Sequence, residues 1–132
     1  MQEPQFFPDA SGLLIHQMQI QAFGGMSGVR DPGLLSSAMY APVNLWQYDR
    51  DKTDVVSCAA AYAVRIARNH PFYDGNKRTA AVLCETFLRD HGYSLKATAD
   101  EWYDAMICVA TGEWDITQLT EWLRPRLKDR GQ

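Results

Sequence analysis

The sequence predicts an all-α protein, folded as a compact bundle of about six helices in a single domain. Apolar residues recur at helical spacing along most of the chain, and capping residues precede several of these segments. No segment alternates apolar and polar residues over a convincing strand length. With 132 residues, of which 46% are hydrophobic, the chain suits one domain over residues 1–132.

The first helix is predicted between a capping serine and a pair of glycines. Ser11 can accept a hydrogen bond from the first turn, and Gly24-Gly25 ends the helix because glycine readily adopts left-handed dihedral angles. Four apolar residues between these ends follow the spacing of a helix. They are Leu13, Leu14, Met18 and Ala22.

A second, shorter helix is predicted to follow. Asp31 and Pro32 suit its cap and first position, and we expect it to run through Tyr40 and to end before Pro42. Residues 42–53 have no sustained period, and we interpret them as an exposed loop or small hairpin. This loop carries Trp46 and Tyr48.

Two central helices with a tight turn between them are predicted next. The segment from Asp54 is helical and ends at His70-Pro71, because the residue before a proline is pushed out of the helical region. Its small residues would let another helix approach closely; they are Ala59, Ala60, Ala61 and Ala63. The next helix begins near Asn76 and ends at His91-Gly92.

The last two helices are predicted from paired capping residues. After an extended piece at residues 93–95, Thr98 and Glu101 have the spacing of a capping box, and Asp115 and Gln118 repeat that spacing. The fifth helix carries Trp102, Met106 and Val109. The sixth carries Ile116, Leu119, Leu123 and Leu127.

Charge and cysteine content exclude several classes of function. The net charge is −3, and the basic residues cluster only at the end of the last predicted helix, where cations suit the helix dipole, so direct nucleic-acid binding is not expected. They are Arg124, Arg126, Lys128 and Arg130. The three cysteines, Cys58, Cys84 and Cys108, lie in apolar stretches and form no C-x-x-C pair, so we interpret them as reduced core residues. With no targeting segment or membrane span recognised, we expect a cytoplasmic protein.

The stretch HPFYDGNKRTA, residues 70–80, places two cations in the first turn of a predicted helix. Lys77 and Arg78 would each cost roughly 0.3–1 kcal/mol there unless an anion lies nearby. A phosphate chain held by the N–H groups of Gly75, Asn76 and Lys77 and by the Arg78 guanidinium would explain the arrangement. The pattern therefore predicts an anion-binding position at this helix start.

Two further residues indicate which reaction would take place at this position. Asp74 is placed to bind Mg²⁺, which would bridge the carboxylate and phosphate oxygens that otherwise repel each other. His70 has a side chain that titrates near neutrality and can take a proton from an attacking hydroxyl. Together they indicate phosphate transfer. We therefore place His70, Asp74, Lys77 and Arg78 in the catalytic set.

Each of these residues also has a structural explanation when it is taken alone. An Asp-Gly pair is usually a turn, a His before a Pro is usually structural, and a Lys-Arg pair on a helix is usually a solvated face. Asn76 can simply cap the helix, Phe72 is expected as a core anchor, and Tyr73 is expected to be exposed. Their joint order is what favours a functional site.

That joint order resembles the Fic/Doc family, whose pattern is His-Pro-Phe, a variable residue, Asp or Glu, Gly-Asn, Gly or Lys, and Arg. Residues 70–78 read HPFYDGNKR. Residues 15–25 (IHQMQIQAFGG), 28–35 (GVRDPGLL) and 87–95 (FLRDHGYSL) also look like the death-on-curing branch. The resemblance covers most of residues 11–123, which it implies are the core of the domain.

The resemblance implies a compact helical bundle of the Fic/Doc type, with ATP and Mg²⁺ bound at the turn between its two central helices. By matching position, His70 is expected to be the base and Asp74 the metal ligand. The nucleotide-binding set is expected to be Gly75, Asn76, Lys77 and Arg78.

One difference within the pattern separates the branches of the family. AMP-transferring members have glycine where this chain has Lys77, and commonly a second arginine where it has Ala81. Lysine fills space and adds charge where glycine would admit the usual nucleotide pose. The resemblance thus implies a Doc-type toxin that moves the γ-phosphate of ATP to a threonine of elongation factor Tu and inhibits translation. Nucleotidyl (AMP) transfer to a protein hydroxyl and a catalytically inactive binding module are the alternatives.

Many relatives carry an inhibitory helix marked by Ser or Thr, three residues, Glu, then Gly or Asn. The nearest match here, residues 117–121, is followed by Trp122. The resemblance therefore implies an antitoxin acting in trans, whose segment folds against the toxin as an extra helix and needs an apolar groove.

Overall fold

The computed structural model describes residues 3–130, and these form the six helices of the predicted all-α class. Two turns of 3-10 helix, Arg50–Lys52 and Arg124–Arg126, and two strands complete the structure. The helices are α1 (Asp9–Phe23), α2 (Pro32–Tyr48), α3 (Val55–Asn69), α4 (Asn76–Asp90), α5 (Ala99–Ala110) and α6 (Ile116–Leu123). The strands are β1 (Tyr93–Leu95) and β2 (Leu127–Asp129).

Helix α3 lies at the centre of the core and packs against α2, α4, α5 and α6. Asp54 and Ser57 form a reciprocal capping box at its start. Its four predicted small residues, Ala59, Ala60, Ala61 and Ala63, are fully buried. Because alanine projects only a methyl group, neighbouring helices can approach α3 on several sides.

Helix α1 begins earlier than predicted and buries a different face. It starts at Asp9 after Pro8, so Ser11 lies inside the helix and does not cap it, whereas the stop at Gly24 is confirmed. The apolar residues that predicted this helix are exposed; they are Leu13, Leu14, Met18 and Ala22. The buried face consists of Gly12, His16 and Gln19. This face packs against the motif turn, defined as residues 70–75, and against α2 and α4, where small and polar residues fit better than large apolar ones.

The predicted end of α2 and the loop after it are wrong. The helix continues through Pro42 to Tyr48, and Arg50–Lys52 then form a 3-10 turn. Ala38, Pro42 and Trp46 are spaced four residues apart and are all buried, so burial of this stripe outweighs the backbone hydrogen bond that proline cannot donate. Trp46 is therefore a core residue, whereas Tyr48 is exposed as predicted.

The chain after α6 also differs from the prediction. Leu127 does not extend the last helix but begins β2, which pairs antiparallel with β1 in the register Tyr93↔Asp129 and Leu95↔Leu127. Arg124 is exposed at the end of α6, as predicted, and its guanidinium also bonds the Asp54 carboxylate at 2.8 Å. Strands of three residues are too short to show an alternating pattern, which explains why the sequence did not predict β2.

The predicted capping boxes of the last two helices are confirmed. Thr98 with Glu101 and Asp115 with Gln118 form the capping boxes of α5 and α6. The described chain shows three free cysteines, two of them buried, and burial raises the pKa of the Cys58 thiol to about 12. None of the helices formed by residues 3–130 combines the length and apolar character needed to cross a membrane.

Candidate active site

The motif turn joins α3 to α4 through two residues with left-handed backbone angles. His70 ends α3 with φ 54° and ψ 52°, and Gly75 precedes α4 with φ 76° and ψ 18°. A Cβ atom at position 75 would make only ordinary contacts, 3.4 Å from the Ile20 Cδ1 atom and 3.7 Å from the His16 ring, so glycine is favoured by the backbone angle. The chain therefore reverses tightly and presents His70, which is exposed, at the start of the turn.

The side chain of Asn76 holds this turn closed. Its Oδ1 atom accepts a hydrogen bond from the Phe72 N–H at 3.0 Å, and its Nδ2 atom donates to the Phe72 carbonyl at 2.9 Å. Asn76 is 4% exposed and Phe72 is fully buried, so Phe72 is the predicted core anchor, while Tyr73 is exposed as predicted. Because Oδ1 and one Nδ2 hydrogen of Asn76 are bonded to Phe72, the amide serves to hold the turn, and anion binding by this residue would use its backbone N–H.

A segment between α1 and α2 supports the other end of the turn. The Pro71 carbonyl accepts hydrogen bonds from the N–H groups of Arg30 and Asp31, at 2.7 and 3.1 Å. The Arg30 side chain donates from Nε to the His70 carbonyl at 2.8 Å and from Nη2 to the Asn69 carbonyl at 3.2 Å. These bonds hold the backbone of His70 in its left-handed conformation. Residues other than glycine rarely adopt this conformation because it is energetically unfavourable for them.

Asp74 is held by its carboxylate and by its carbonyl. Its Oδ2 atom accepts a hydrogen bond from the Met26 N–H at 2.6 Å. Its carbonyl lies 2.8 Å from the His16 Nε2 atom, which must be the donor because a carbonyl only accepts. His16 is 4% exposed, and its ring stacks on Phe72 with centroids 3.8 Å apart. The structure thus makes His16 a buried support of the turn.

Lys77 and Arg78 lie exposed in the first turn of α4, as predicted. Across residues 3–130, neither cation pairs with a carboxylate, and no side chain caps this helix start. The Arg78 guanidinium lies 5.0 Å above the Phe23 ring and 3.5 Å from the Gly24 carbonyl. The carbonyl end of α1 offsets part of the electrostatic cost of Arg78 at this helix start, whereas Lys77 makes no such hydrogen bond among the described residues.

These residues line one cleft of about 970 Å³, a volume that suits a ligand of nucleotide size. His70, Asp74, Gly75, Lys77 and Arg78 form one side of it. Gln19 and Phe23 of α1 also line it, and its far part is largely apolar, formed by Ala81, Val82, Trp102, Tyr103 and Met106. The structure therefore brings every predicted site residue to the same cavity, with Asn76 lining it from its buried position.

Sequence reasoning did not place α1 in the site. His16, Gln19 and Phe23 follow Gly12 at intervals of four, three and four residues, and this stripe meets the motif turn and α4. The stripe was detectable as a helical face containing glycine, histidine and glutamine. The neighbouring face carries more apolar residues, and those residues gave the stronger helical pattern.

The donor set of the cleft fits Mg²⁺ carried in by a phosphate ligand. Within the described part of the chain, no group of three or more His, Cys, Asp or Glu side chains could hold a metal alone. Mg²⁺ is commonly held by one or two carboxylates together with substrate phosphates and water. Asp74 supplies one carboxylate, with Oδ2 engaged by Met26 and its second oxygen as the further acceptor.

The model of the Fic/DOC family matches residues 10–88, which include α1, the motif turn and most of α4. The chain belongs to the Fic/Doc family. Protein kinase doc of Escherichia phage P1 is 33% identical over 112 residues, covering 85% of this chain and 87% of the phage protein. Toxin Doc of Mycolicibacterium smegmatis (strain ATCC 700084 / mc(2)155) is 40% identical over 106 residues, covering 74% of this chain and 77% of that toxin.

Family membership confirms the resemblance drawn from HPFYDGNKR, and both relatives carry the Doc name. The exposed His70 and the uncapped start of α4 are thus the Fic/Doc motif in its folded form. The roles assigned to His70, Asp74, Lys77 and Arg78 remain predictions that the geometry allows.

Proposed function

We propose that this protein is a Doc-type toxin that transfers the γ-phosphate of ATP to a protein hydroxyl. The observation that carries the proposal is the shared cleft. It brings together an exposed histidine, a carboxylate and a helix start without a side-chain cap, where two cations pair with no carboxylate of the described residues. The names of two relatives, Protein kinase doc and Toxin Doc, support the same reaction and role.

In the proposed reaction, His70 acts as the general base. An acceptor hydroxyl oxygen forms a bond to the γ-phosphorus, the bond from that phosphorus to the β,γ-bridging oxygen breaks, and ADP leaves. His70 takes the proton of the hydroxyl as the new bond forms. Its position at the exposed start of the motif turn, with its backbone held by Arg30, leaves the imidazole accessible to a protein substrate.

The start of α4 would stabilise the charge of the transferring phosphate. Its first-turn N–H groups lack a side-chain cap, and Gly75 lets a ligand approach the backbone closely. Lys77 and Arg78 would neutralise phosphate charge, and Asp74 would hold Mg²⁺, which supplies a further positive charge between phosphate oxygens. Lys77, in place of glycine, favours phosphoryl over nucleotidyl transfer.

The substrate and partner follow from the same proposal. We take a threonine of a translation factor such as elongation factor Tu as the acceptor, and an antitoxin supplied by another chain as the restraint. Support for a partner comes from the apolar far part of the cleft, where Trp102, Tyr103 and Met106 would accept an amphipathic segment.

Labelled ATP and elongation factor Tu test this function. We expect label from the γ-position, and a mass gain of one phosphoryl group, with the parent protein. His70→Ala should reduce the rate by about 10²–10⁴-fold, which is the usual contribution of a general base. The control variant is Tyr48→Ala, at an exposed position. It should transfer phosphate at the parental rate, because Tyr48 lies outside the cleft.

The mass of the product separates the alternatives. A gain of one nucleotidyl group, with label from the α-position, would replace the kinase proposal with AMP transfer. An unmodified target together with a His70→Ala variant as toxic as the parent would indicate a binding module.

A further inference from the structure

Gln19 is a buried polar residue whose side chain has no hydrogen-bond partner among the described residues. It is 9% exposed, lies in the middle of the buried face of α1 and lines the cleft. Its amide atoms are not among the fully enclosed polar atoms that lack a partner, so the small accessible part of the side chain includes the amide. Gln19 therefore presents donors and an acceptor to the cleft without using them.

An amide in this situation points to a ligand. Buried polar groups in folded proteins are normally paired, because leaving such a group unbonded is costly. Gln17 and Gln21 on the same helix are exposed, and water can bond their amides. Gln19 differs from them only in facing the cleft.

The neighbours of Gln19 on α1 indicate which part of a ligand it would meet. One turn earlier, His16 bonds the Asp74 carbonyl and lies near Gly75. One turn later, Phe23 lies under the Arg78 guanidinium. On α1, Gln19 thus lies between the residue that contacts the motif turn and the residue that contacts Arg78.

We infer that the Gln19 amide donates hydrogen bonds to phosphate oxygens of the nucleotide held at the start of α4. This inference rests on the proposed function and adds a specific contact to it. The phosphate chain lies between two walls: the first turn of α4 with Arg78 on one side, and Gln19 of α1 on the other. Gln19 is then a phosphate-binding residue contributed from outside the HPFYDGNKR motif.

The test measures binding of ATP with Mg²⁺, inorganic tripolyphosphate and adenosine by titration calorimetry. Gln19→Met keeps the size of the side chain and removes the donor, and Gln19→Glu replaces the donor by an anion. We expect Gln19→Met to weaken ATP and tripolyphosphate binding about three- to tenfold, the effect of one lost hydrogen bond, and Gln19→Glu to weaken both more strongly. Gln17→Glu adds the same charge on the exposed face and should stay within about twofold of the parent.

The outcomes separate this inference from the proposed function. If Gln19→Met and Gln19→Glu bind ATP and tripolyphosphate like the parent, the inference is overturned while the proposed function stands. If Gln19→Met weakens adenosine and ATP but leaves tripolyphosphate unchanged, Gln19 contacts the nucleoside, and the phosphate assignment is wrong. A parent protein that binds neither ATP nor tripolyphosphate would overturn the proposed function and this inference together.

Discussion

At the scale of single residues, Asn76 shows how a motif residue can act through the backbone. Its amide bonds both the N–H and the carbonyl of Phe72, four residues earlier, inside a buried environment. Both polar groups of Phe72 are satisfied in this way. The bonds fix the path of the motif turn, and that path places His70 at one end and the open N–H groups of α4 at the other.

Replacing Asn76 by alanine should therefore lower the free energy of unfolding by about 2–4 kcal/mol. Two buried backbone groups would lose their partners, each at a cost of roughly 1–3 kcal/mol, partly relieved by water. Urea unfolding followed by circular dichroism measures the difference. Asn44→Ala, at an exposed position of α2, is the matched control and should change stability by less than about 0.5 kcal/mol. Equal stability of both variants would refute the structural role of Asn76.

At the scale of elements, the start of α3 depends on one carboxylate with two functions. Asp54 caps the helix through the Ser57 N–H at 2.9 Å and pairs with the Arg124 guanidinium at 2.8 Å. Burial by itself would raise the pKa of the Asp54 carboxyl, but the hydrogen bonds from Arg124 and Ser57 lower it below its ordinary value. The central helix and the segment after α6 are thus joined by this ion pair.

Asp54→Ala should lower the free energy of unfolding by about 1–2 kcal/mol at neutral pH, as expected for a lost N-cap. The folded-state pKa of Asp54 is depressed, so its charge contributes stability above the unfolded-state pKa, and the contribution is lost as the pH falls through the folded-state pKa. Urea unfolding of the parent and the variant, measured between neutral and acidic pH, tests this. The difference between their free energies of unfolding should become smaller as the pH falls.

The exposed residue Asp51 provides the control for this pH series. Asp51→Ala should unfold like the parent at neutral pH, since surface substitutions usually change stability by less than about 0.5 kcal/mol. If the difference in free energy of unfolding between Asp54→Ala and the parent stays constant down to the lowest pH, the ion pair contributes nothing to stability.

At the scale of the whole molecule, segments outside the helices close the core at both ends of the chain. Before α1, the Phe7 ring lies edge-on to Phe87, with centroids 5.4 Å apart, and the Phe7 N–H donates to the Tyr62 hydroxyl at 2.8 Å. Burial raises the pKa of Tyr62 to about 12. After α6, β2 pairs with β1 beside α4. The core therefore draws on residues from nearly the whole described chain.

Phe7→Ala should lower the free energy of unfolding by about 1–2 kcal/mol, less than for a fully buried ring because Phe7 is only partly buried. Thermal and urea unfolding measure the loss. Leu14→Ala removes a side chain that is 58% exposed and should have little effect. A loss for Leu14→Ala that matches the loss for Phe7→Ala would place the exposed face of α1 in the folding unit and contradict the described packing.

The sequence by itself determined those features whose causes lie within a few residues. Capping pairs such as Thr98 with Glu101 act locally, as does the glycine stop after α1, so these helix ends were predictable. The place of Lys77 and Arg78 in the first turn of α4 was predictable for the same reason, and anion binding there stays a prediction. The order HPFYDGNKR was specific enough to predict both the family and the turn that joins the central helices.

Only the tertiary structure decided which faces are buried and where partners distant in the chain meet. Pro42 lies inside a helix because a buried stripe on α2 outweighs its local preference, and β2 forms because β1 is available 34 residues earlier, counted from Tyr93 to Leu127. His16 and Gln19 join the site because α1 packs beside the motif turn. These outcomes depend on burial and on long-range hydrogen bonds, whose free energies are set by neighbours that local sequence does not specify.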